Sequence, residues 1–295
     1  MERDIWRVIV AALRRLPRRC SSGQRYTNRE VLAVLLWAAL HDRSVLWACQ
    51  RRHWPMQAWR RRLPDQSTMS RRLRCADVLD DLHALVHLVQ AAFDDQDNGV
   101  LRVDGKALAV SNYSDDPDAA NGWGAGQHQR GYKLHALVAN AKRLVDFRVE
   151  PMNTQESVVA GELLRGAQRA GRVVFAGVVL GDASYDSNPL HALAGACGML
   201  LLAPRRRPET NLSKTRKHHP GRVLSTALLE PHPSLLKWMR DKRSVVEHYF
   251  GGLSAAAGLN RLPAWVRTLP RVRVWVAAKL VLNAARIARL HVNVA

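Results

Sequence analysis

The sequence has few cysteines and no long apolar run, and both features restrict the class of protein that it can encode. Its four cysteines are scattered without a CxxC pair, which argues against a zinc site or a disulfide framework and predicts reduced thiols in a cytoplasm. The longest apolar run, Val31 to Leu40, is too short to span a bilayer. The first 20 residues carry repeated arginines and no small-residue cleavage site, so a secretory signal is not expected. These absences predict a soluble cytoplasmic protein with no membrane partner.

Acidic side chains are scarce as well. The 295 residues include 25 Asp and Glu against 45 Lys and Arg, a formal net charge of +20. This charge exceeds what solubility requires and predicts a polyanionic partner, with nucleic acid as the first candidate and an anionic membrane as the second. The segment 251–295 contains no acid at all, a composition suited to a surface that lies along DNA phosphates.

The first 98 residues have a helical pattern throughout. Thr27 or Asn28 is a suitable N-cap for a helix that continues to about His41. The polar stretch 94–99 separates this segment from the rest of the chain, so we expect an all-helical domain over 1–98. Further helices are predicted over 4–16, 45–53 and 79–93.

A short basic helix is predicted inside this domain, after Pro64. A turn and a Ser or Thr cap precede it, and its sequence is typical of the recognition helix of a helix-turn-helix, which enters the DNA major groove. Met69 and Leu73 would be buried. The alternative is an ordinary basic surface helix. On the first interpretation the DNA contacts are made by Arg71, Arg72 and Arg74.

Residues 99–295 change to a pattern of strands and helices. The segment 111–129 is rich in Asp, Asn and Gly and is predicted to be a loop. Three consecutive strands, followed by alternating helix and strand, predict an α/β domain with a mixed sheet flanked by helices. The predicted strands are 101–110, 132–140, 145–150, 173–180 and 199–203, and the predicted helices are 155–170, 189–195, 234–253 and 272–290.

Three acids of this second domain are placed where they can meet. Asp104 lies on the first strand, on the face opposite its apolar neighbours; Asp182 follows an apolar strand; Glu247 lies on a helix four residues after Arg243. Converging carboxylates are suitable ligands for Mg²⁺, and two such ions stabilise both the attacking and the leaving oxygen in phosphodiester chemistry. Each acid also has an ordinary structural alternative: a salt-bridged strand residue, an N-cap, and one partner of an i,i+4 pair.

Basic residues close to these acids in the sequence are candidate DNA contacts. The run 205–222 is too charged and broken to be core, and it is either a solvated loop or, as we favour, a loop that grips DNA beside the active site. Lys133 or His135 would contact a phosphate if it faces the site, and Trp123 either stacks on a base or packs within its loop. The candidates in the basic run are Arg205, Arg206, Arg207, Lys214, Arg216 and Lys217.

Four ordered motifs resemble those of the DDE transposases of bacterial insertion sequences. The resemblance covers roughly residues 99–290, and the helical N-terminal segment, with its run Gln66 to Leu73, fits the same family. The motifs are Val103-Asp104-Gly105-Lys106, Gly131-Tyr132-Lys133-Leu134-His135, the segment 181–186 and the segment 243–253.

This resemblance implies an RNase H-like catalytic domain over 99–295, preceded by a helical DNA-binding domain. Asp104 would lie on the first strand, Asp182 after the fourth, and Glu247 on the helix after the fifth. The three acids would hold two Mg²⁺ or Mn²⁺ ions, with Arg243 near a DNA phosphate. The implied activity is metal-dependent cleavage at transposon ends followed by strand transfer. The implied partners are the terminal inverted repeats and target DNA, bound by a homodimer in the bacterial nucleoid when two ends are paired.

The catalytic helix departs from one branch of this family. That branch carries Tyr, Arg, Glu and Lys in fixed register, whereas here the Tyr position is Arg240 and the Lys position is Ser254. Only Arg243 and Glu247 match. Two rival functions therefore stay open: a transposase-derived repressor that binds DNA without catalysis, and an RNase H-fold nuclease without strand transfer.

Overall fold

A computed structural model of the chain describes residues 2–20, 23–55, 62–90, 99–111, 113–124, 126–173, 175–208, 212 and 217–292. The chain divides into two compact units, Met1–Asp94 with Gly252–Ala295, and Asp95–Gly251. The helices are α1 (Glu2–Arg15), α2 (Asn28–Leu40), α3 (Val45–Ala48), α4 (Gln66–Arg72), α5 (Ala76–Gln90), α6 (Glu156–Arg169), α7 (Asn188–Ala196), α8 (Pro220–Leu229), α9 (Pro233–Ala257) and α10 (Leu269–Val292). The strands are β1 (Val100–Ala109), β2 (Ala120–Gly124), β3 (Gln127–Val138), β4 (Leu144–Pro151), β5 (Val178–Leu180) and β6 (Leu200–Leu202).

The first unit consists of helices in its described part. Thr27 begins α2 as predicted, because its side chain accepts the N–H of Glu30 while the Glu30 carboxylate accepts the N–H of Thr27 at 2.8 Å, a reciprocal cap. The last helix, α10, packs against α1, α2 and α5. Its buried Lys279 donates to the carbonyl of Ala39 at 2.8 Å and to Asp42 Oδ1 at 2.5 Å.

This packing corrects the domain boundary expected from the sequence. Residues 252–295 belong to the helical unit and not to the sheet unit. The physical reason is that α10 is apolar over most of its surface, with Val276, Ala277, Leu280 and Val281 fully buried. A helix that is apolar all round needs several neighbours, and α1, α2 and α5 supply them.

The second unit is built on a mixed sheet with the order β2-β3-β1-β5-β6, and β4 pairs with β3. β1 pairs antiparallel with β3 and parallel with β5, and β5 pairs parallel with β6. Helices cover both faces. On one face the side chains of β1, β3 and β4 pack with α6 and α7, and on the other β5 and β6 pack with α8 and the start of α9. The predicted mixed sheet flanked by helices is confirmed in this unit.

Strand β2 lies inside the segment predicted to be a loop. It pairs with the first residues of β3, with Gly122 opposite Gln129. A Cβ on Gly122 would lie 2.5 Å from the backbone oxygen of Met152, so glycine is required for this close approach. Glycine is depleted in strands in general, which is why the sequence pattern predicts a loop. Because β2 is an additional strand, Asp182 follows the fifth strand in chain order and not the fourth.

The predicted bounds of two further segments need correction. The strand predicted over 173–180 is restricted to β5, because residues 175–176 form a turn in which Ala176 has φ +61°. The basic run 205–222 ends in helix α8, which begins at Pro220 and is not predicted by the pattern. Proline suits the first turn of a helix because its missing N–H would have no helical partner there.

None of the helices in the described ranges combines the length and the apolar content needed to cross a membrane.

Candidate active site

Asp104 on β1 and Asp182, just after the neighbouring parallel strand β5, occupy equivalent positions along the two chain segments. β1 and β5 pair with Arg102 opposite Leu180, and each acid follows its paired residue by two positions. Adjacent strands lie about 4.8 Å apart, so the two carboxylates are close neighbours. Burial raises the pKa of Asp104 above its ordinary value, and the negative charge of Asp182 adds to the rise.

Helix α9 brings the third acid to the same place. Arg102 is buried on β1 and donates from Nε to the carbonyl of Lys242 at 2.9 Å, which ties the helix to the strand. The next residue of the helix, Arg243, donates from Nη2 to Oδ2 of Asp104 at 3.2 Å. The same Nη2 lies 3.5 Å from Oε1 of Glu247, one turn further on. One guanidinium therefore joins the first strand to helix α9.

The negative charges of all three acids act on the guanidinium of Arg243. Burial alone would lower the pKa of its guanidinium, but the charges of Asp104, Asp182 and Glu247, together with the hydrogen bond to Asp104, outweigh burial and raise it. The Arg243 guanidinium is a positive charge shared by carboxylates from β1, the end of β5, and α9. The sequence prediction that these three chain segments meet is consistent with this arrangement.

Each acid also has the structural partner that the sequence left open. Asp182 is the N-cap of the 3-10 helix Ala183–Tyr185, because its Oδ1 accepts the N–H of Ser184 at 2.7 Å. Asp104 is salt-bridged to Arg243, and Glu247 is the i,i+4 partner of Arg243 with its side chain 59% exposed. Each acid therefore has an ordinary structural role in addition to its interaction with Arg243.

The donor set fits a hard divalent cation, although no three His, Cys, Asp or Glu side chains in the described ranges stand in a metal-holding arrangement. Arg243 lies between Asp104 and Glu247, so its charge balances the acids in this state. Carboxylate oxygens are the ligands that Mg²⁺ and Mn²⁺ prefer. Tyr185 adds a second indication: its hydroxyl is buried with no hydrogen-bond partner among the residues that the structure describes, and its phenol interacts with the charges of Asp104 and Asp182. Arg243 would have to move from Asp104 for that carboxylate to bind a metal.

The two basic residues predicted on β3 are internal. Lys133 is 6% exposed and its ammonium lies 2.5 Å from Oε1 of Glu156. Its side chain packs over Gly105, where a Cβ would lie 2.9 Å from Lys133 Cδ, so protein atoms fill the space that the glycine leaves beside β1. His135 is fully buried, and burial lowers its pKa to about 4. Because both side chains are buried, neither can reach a DNA phosphate, and the predicted DNA contact of Lys133 is not proposed further.

Glu156 is a site residue that the sequence prediction missed. It lies in the first turn of α6, and its Oε2 accepts the Ser184 hydroxyl at 2.6 Å. Burial opposes ionisation of Glu156, but the hydrogen bonds from Lys133 and Ser184 outweigh burial and lower its pKa. The only sequence signal was an acid in the first turn of a predicted helix, and such acids commonly serve the helix dipole alone.

The basic run 205–222 contains both internal and exposed cations. Arg205 forms an ion pair with Glu230, and its side chain is only 9% exposed. Arg206 donates to the carbonyls of Ala183 at 3.1 Å and Ser184 at 2.8 Å, directly after Asp182. Arg207 and Lys217 are exposed. Lys214 and Arg216 lie outside the described residues.

One of the three DNA contacts predicted for the basic helix needs correction. Arg71 on α4 and Arg74 in the turn after it are exposed and Met69 is buried, as predicted, whereas Leu73 is only half-buried. Arg72 is 4% exposed, because its guanidinium donates to the side chains of Gln24 and Asn28 and to the carbonyl of Tyr26. Arg72 is therefore a structural residue of the helical unit.

The exposed side of α4 borders a cavity of about 500 Å³ within the helical unit. Gln66, Ser70 and Arg74 contribute polar groups to its wall, and Trp265 and Trp275 contribute apolar surface. Trp123, in β2 of the sheet unit, is 60% exposed and lies edge-on to the ring of His128.

Comparisons with known proteins bear on these two units. The family described as "Transposase DDE domain" matches residues 95–282. A cryo-EM structure of the piggyBac transposase synaptic complex with hairpin DNA is similar in fold, with a TM-score of 0.50 and 12% sequence identity over 99% of this chain and 73% of that chain. A comparison with curated proteins found no match.

Proposed function

Because the chain belongs to the transposase family that has a DDE domain, we propose that it cuts DNA at transposon ends and joins the freed ends to target DNA. The observation that carries this proposal is the guanidinium of Arg243, which contacts Asp104 and Glu247 and interacts with the charge of Asp182. Acids from three chain segments thus act on one guanidinium, and their order along the chain is the order that the family resemblance predicts.

We further propose that the sheet unit is an RNase H-like domain. β1, β3 and β4 form one antiparallel half of the sheet, while β5 and β6 continue it in parallel on the other side of β1. In this topology the first residues of β1 pair with β5. Asp104, near the middle of β1, and Asp182, just after β5, each lie two positions beyond the last paired residue of their segment. The fold similarity to the piggyBac transposase structure supports the assignment.

The proposed chemistry divides between bound metal and protein side chains. Asp104, Asp182 and Glu247 would hold two Mg²⁺ or Mn²⁺ ions, which, when bound, lower the pKa of water or a 3′ hydroxyl and stabilise the leaving oxygen. Arg243 would exchange its contact with Asp104 for a DNA phosphate, since a guanidinium suits either anion. Arg102 would keep α9 in register with β1 during this exchange, because its bond goes to the Lys242 carbonyl and not to an acid.

The proposed partner is double-stranded DNA. A net charge of +20 attracts phosphates, and the similar piggyBac structure is a complex with hairpin DNA. We assign phosphate contacts to exposed cations of α4, of the turn that follows it and of the basic run, namely Arg71, Arg74, Arg207 and Lys217. Pairing two transposon ends would require a homodimer.

The test is a nicking and joining assay on a supercoiled plasmid carrying the DNA that flanks the coding sequence, with and without Mg²⁺ or Mn²⁺. Asp104→Asn and Glu247→Gln should abolish cleavage and retain DNA binding, because they remove metal ligands without removing positive charge. Glu162→Gln is the matched control, an acid on α6 that pairs with Arg148 at 3.0 Å. Undiminished cleavage by either site variant would reject the assignment.

A repressor without catalysis is the second candidate. It is favoured by Arg240 and Ser254, which replace two residues of the catalytic-helix motif, and Arg240 is exposed on α9. DNA binding by the natural chain without metal-dependent nicking would support it. Nicking without a joined product would instead support a nuclease that lacks strand transfer.

A further inference from the structure

A fourth carboxylate, that of Glu156 at the start of α6, is linked through Ser184 to Asp182. Glu156 accepts a hydrogen bond from Lys133 at 2.5 Å through Oε1 and one from the Ser184 hydroxyl at 2.6 Å through Oε2. Both of its oxygens are thus engaged by side chains from other elements. Its side chain is 23% exposed and that of Lys133 is 8% exposed, so the pair is largely removed from water.

Ser184 connects this carboxylate to the proposed metal ligand. Its backbone N–H donates to Oδ1 of Asp182 at 2.7 Å, while its hydroxyl donates to Glu156. Arg206 reinforces the same turn from outside, because it donates to the carbonyl of Ser184 at 2.8 Å. A turn of three residues has few bonds of its own, so these side-chain bonds determine where the N–H of Ser184 points.

We propose that Glu156 is a positioning residue for Asp182: with its charge balanced by Lys133, it holds Ser184 so that the Ser184 N–H orients the Asp182 carboxylate toward bound divalent metal. The inference rests on the proposed function, because it concerns the metal site of that function. Residues that hydrogen-bond to metal ligands typically change metal affinity by about 10- to 100-fold when they are replaced. Nothing in this role requires Glu156 to touch metal or DNA.

The experiment measures Mn²⁺ affinity by titration calorimetry on the full chain without DNA. Ser184→Ala removes only the hydroxyl, and Glu156→Gln removes the charge while keeping the size of the side chain. Each should weaken Mn²⁺ binding by about 10-fold or more, with thermal unfolding used to confirm that the variant is folded. Glu162→Gln, on the same helix and in an ion pair with Arg148, is the matched control and should bind Mn²⁺ like the natural chain.

A double variant decides whether the residues act in series. If Glu156 works through Ser184, then Glu156→Gln with Ser184→Ala should bind Mn²⁺ no more weakly than the weaker single variant, because the second change removes a link already broken. Fully additive effects would overturn the inference, as would natural affinity in both singles. Should Glu156→Gln not fold, natural affinity in Ser184→Ala overturns the inference and weakened binding supports it.

A different result would reject the metal site of the proposed function. If Asp182→Asn binds Mn²⁺ like the natural chain, Asp182 is not a ligand, and both the proposed metal site and this inference are rejected. If Asp182→Asn weakens binding while Glu156→Gln and Ser184→Ala do not, the metal site stands and the inference alone is rejected.

Discussion

At the residue scale, contacts distant in sequence decide which charged side chains are available for function. Arg71 and Arg72 are neighbours in a short basic helix, yet Arg72 is buried because Gln24 and Asn28 supply acceptors from another part of the chain. Lys133 is likewise internal because Glu156 follows it by 23 positions and pairs with it. A basic pattern predicts an anionic partner, but it does not show which cations face that partner.

The prediction that the three acids meet has a different basis. Their placement depends on local features: Asp104 on a strand, Asp182 at a strand end, and Glu247 one helical turn after Arg243. These features, joined to the order of the motifs, predicted a common location. Glu156 has no such signal, since its role depends on the Ser184 hydroxyl, 28 positions away.

His135 gives a prediction about pH at this scale. Its pKa is lowered by burial from 6.5 to about 4, so the folded chain favours the neutral ring and the unfolded chain takes up the proton first. Its contribution is therefore fully present above about pH 6.5 and is lost as the pH falls toward 4. His135→Leu should remove this dependence, so that the natural chain loses about 2 kcal/mol more than the variant between about pH 7 and pH 5.

The measurement is urea unfolding at a series of pH values. His128, exposed on the same strand, provides the control: His128→Gln should follow the pH dependence of the natural chain. Parallel stability curves for the natural chain and His135→Leu would contradict the prediction, because they would show that the buried ring does not resist protonation.

At the scale of elements, the hydrophobic periodicity predicted the long helices and strands, but it missed a strand that depends on the close approach of two backbone segments. The helices α2, α6 and α9 and the strands β1 and β4 lie close to their predicted ranges. β2 was missed because Gly122 is present to let the backbone of Met152 approach closely, and glycine itself has a low preference for strands. β5 is shorter than its apolar run because the turn at Ala176 interrupts it.

Two glycine replacements test this account of β2. Gly122→Ala should destabilise the chain by about 1–3 kcal/mol, because its Cβ would meet the Met152 backbone at 2.5 Å. Gly251 lies in α9 with open space around its Cβ position, so Gly251→Ala should stabilise the chain by up to about 1 kcal/mol through helix propensity. Urea unfolding measures both, and a Gly122→Ala variant as stable as the natural chain would show that β2 does not require the close approach.

At the scale of the whole molecule, the sequence predicted the anionic partner and the presence of two units, but it assigned the C-terminal segment to the wrong unit. Composition alone shows a net charge of +20 and an acid-free segment 251–295. That α10 joins α1, α2 and α5 is a fact of packing across most of the chain length. A local pattern shows that a helix is apolar, but it does not show which helices will cover it.

The charge of the helical unit gives a prediction for DNA affinity. Log affinity falls linearly with log salt, and every phosphate that the protein neutralises adds about 0.9 to the steepness of that line. Arg71→Gln with Arg74→Gln should therefore reduce the slope by about 2, because both side chains are exposed, one on α4 and one in the turn that follows it, and both are assigned phosphate contacts. The measurement is fluorescence anisotropy of a short random-sequence duplex from about 50 to about 200 mM salt.

The matched control removes the same net charge from the other unit. Arg148 pairs with Glu162, and Arg169 is exposed at the end of α6; neither is assigned a DNA contact. Arg148→Gln with Arg169→Gln should leave the slope unchanged within about half a unit, because counterion release follows the number of neutralised phosphates and not the total charge of the protein. Equal slopes in the two double variants would mean that α4 does not contact the phosphates and that the whole positive surface attracts DNA without a defined site.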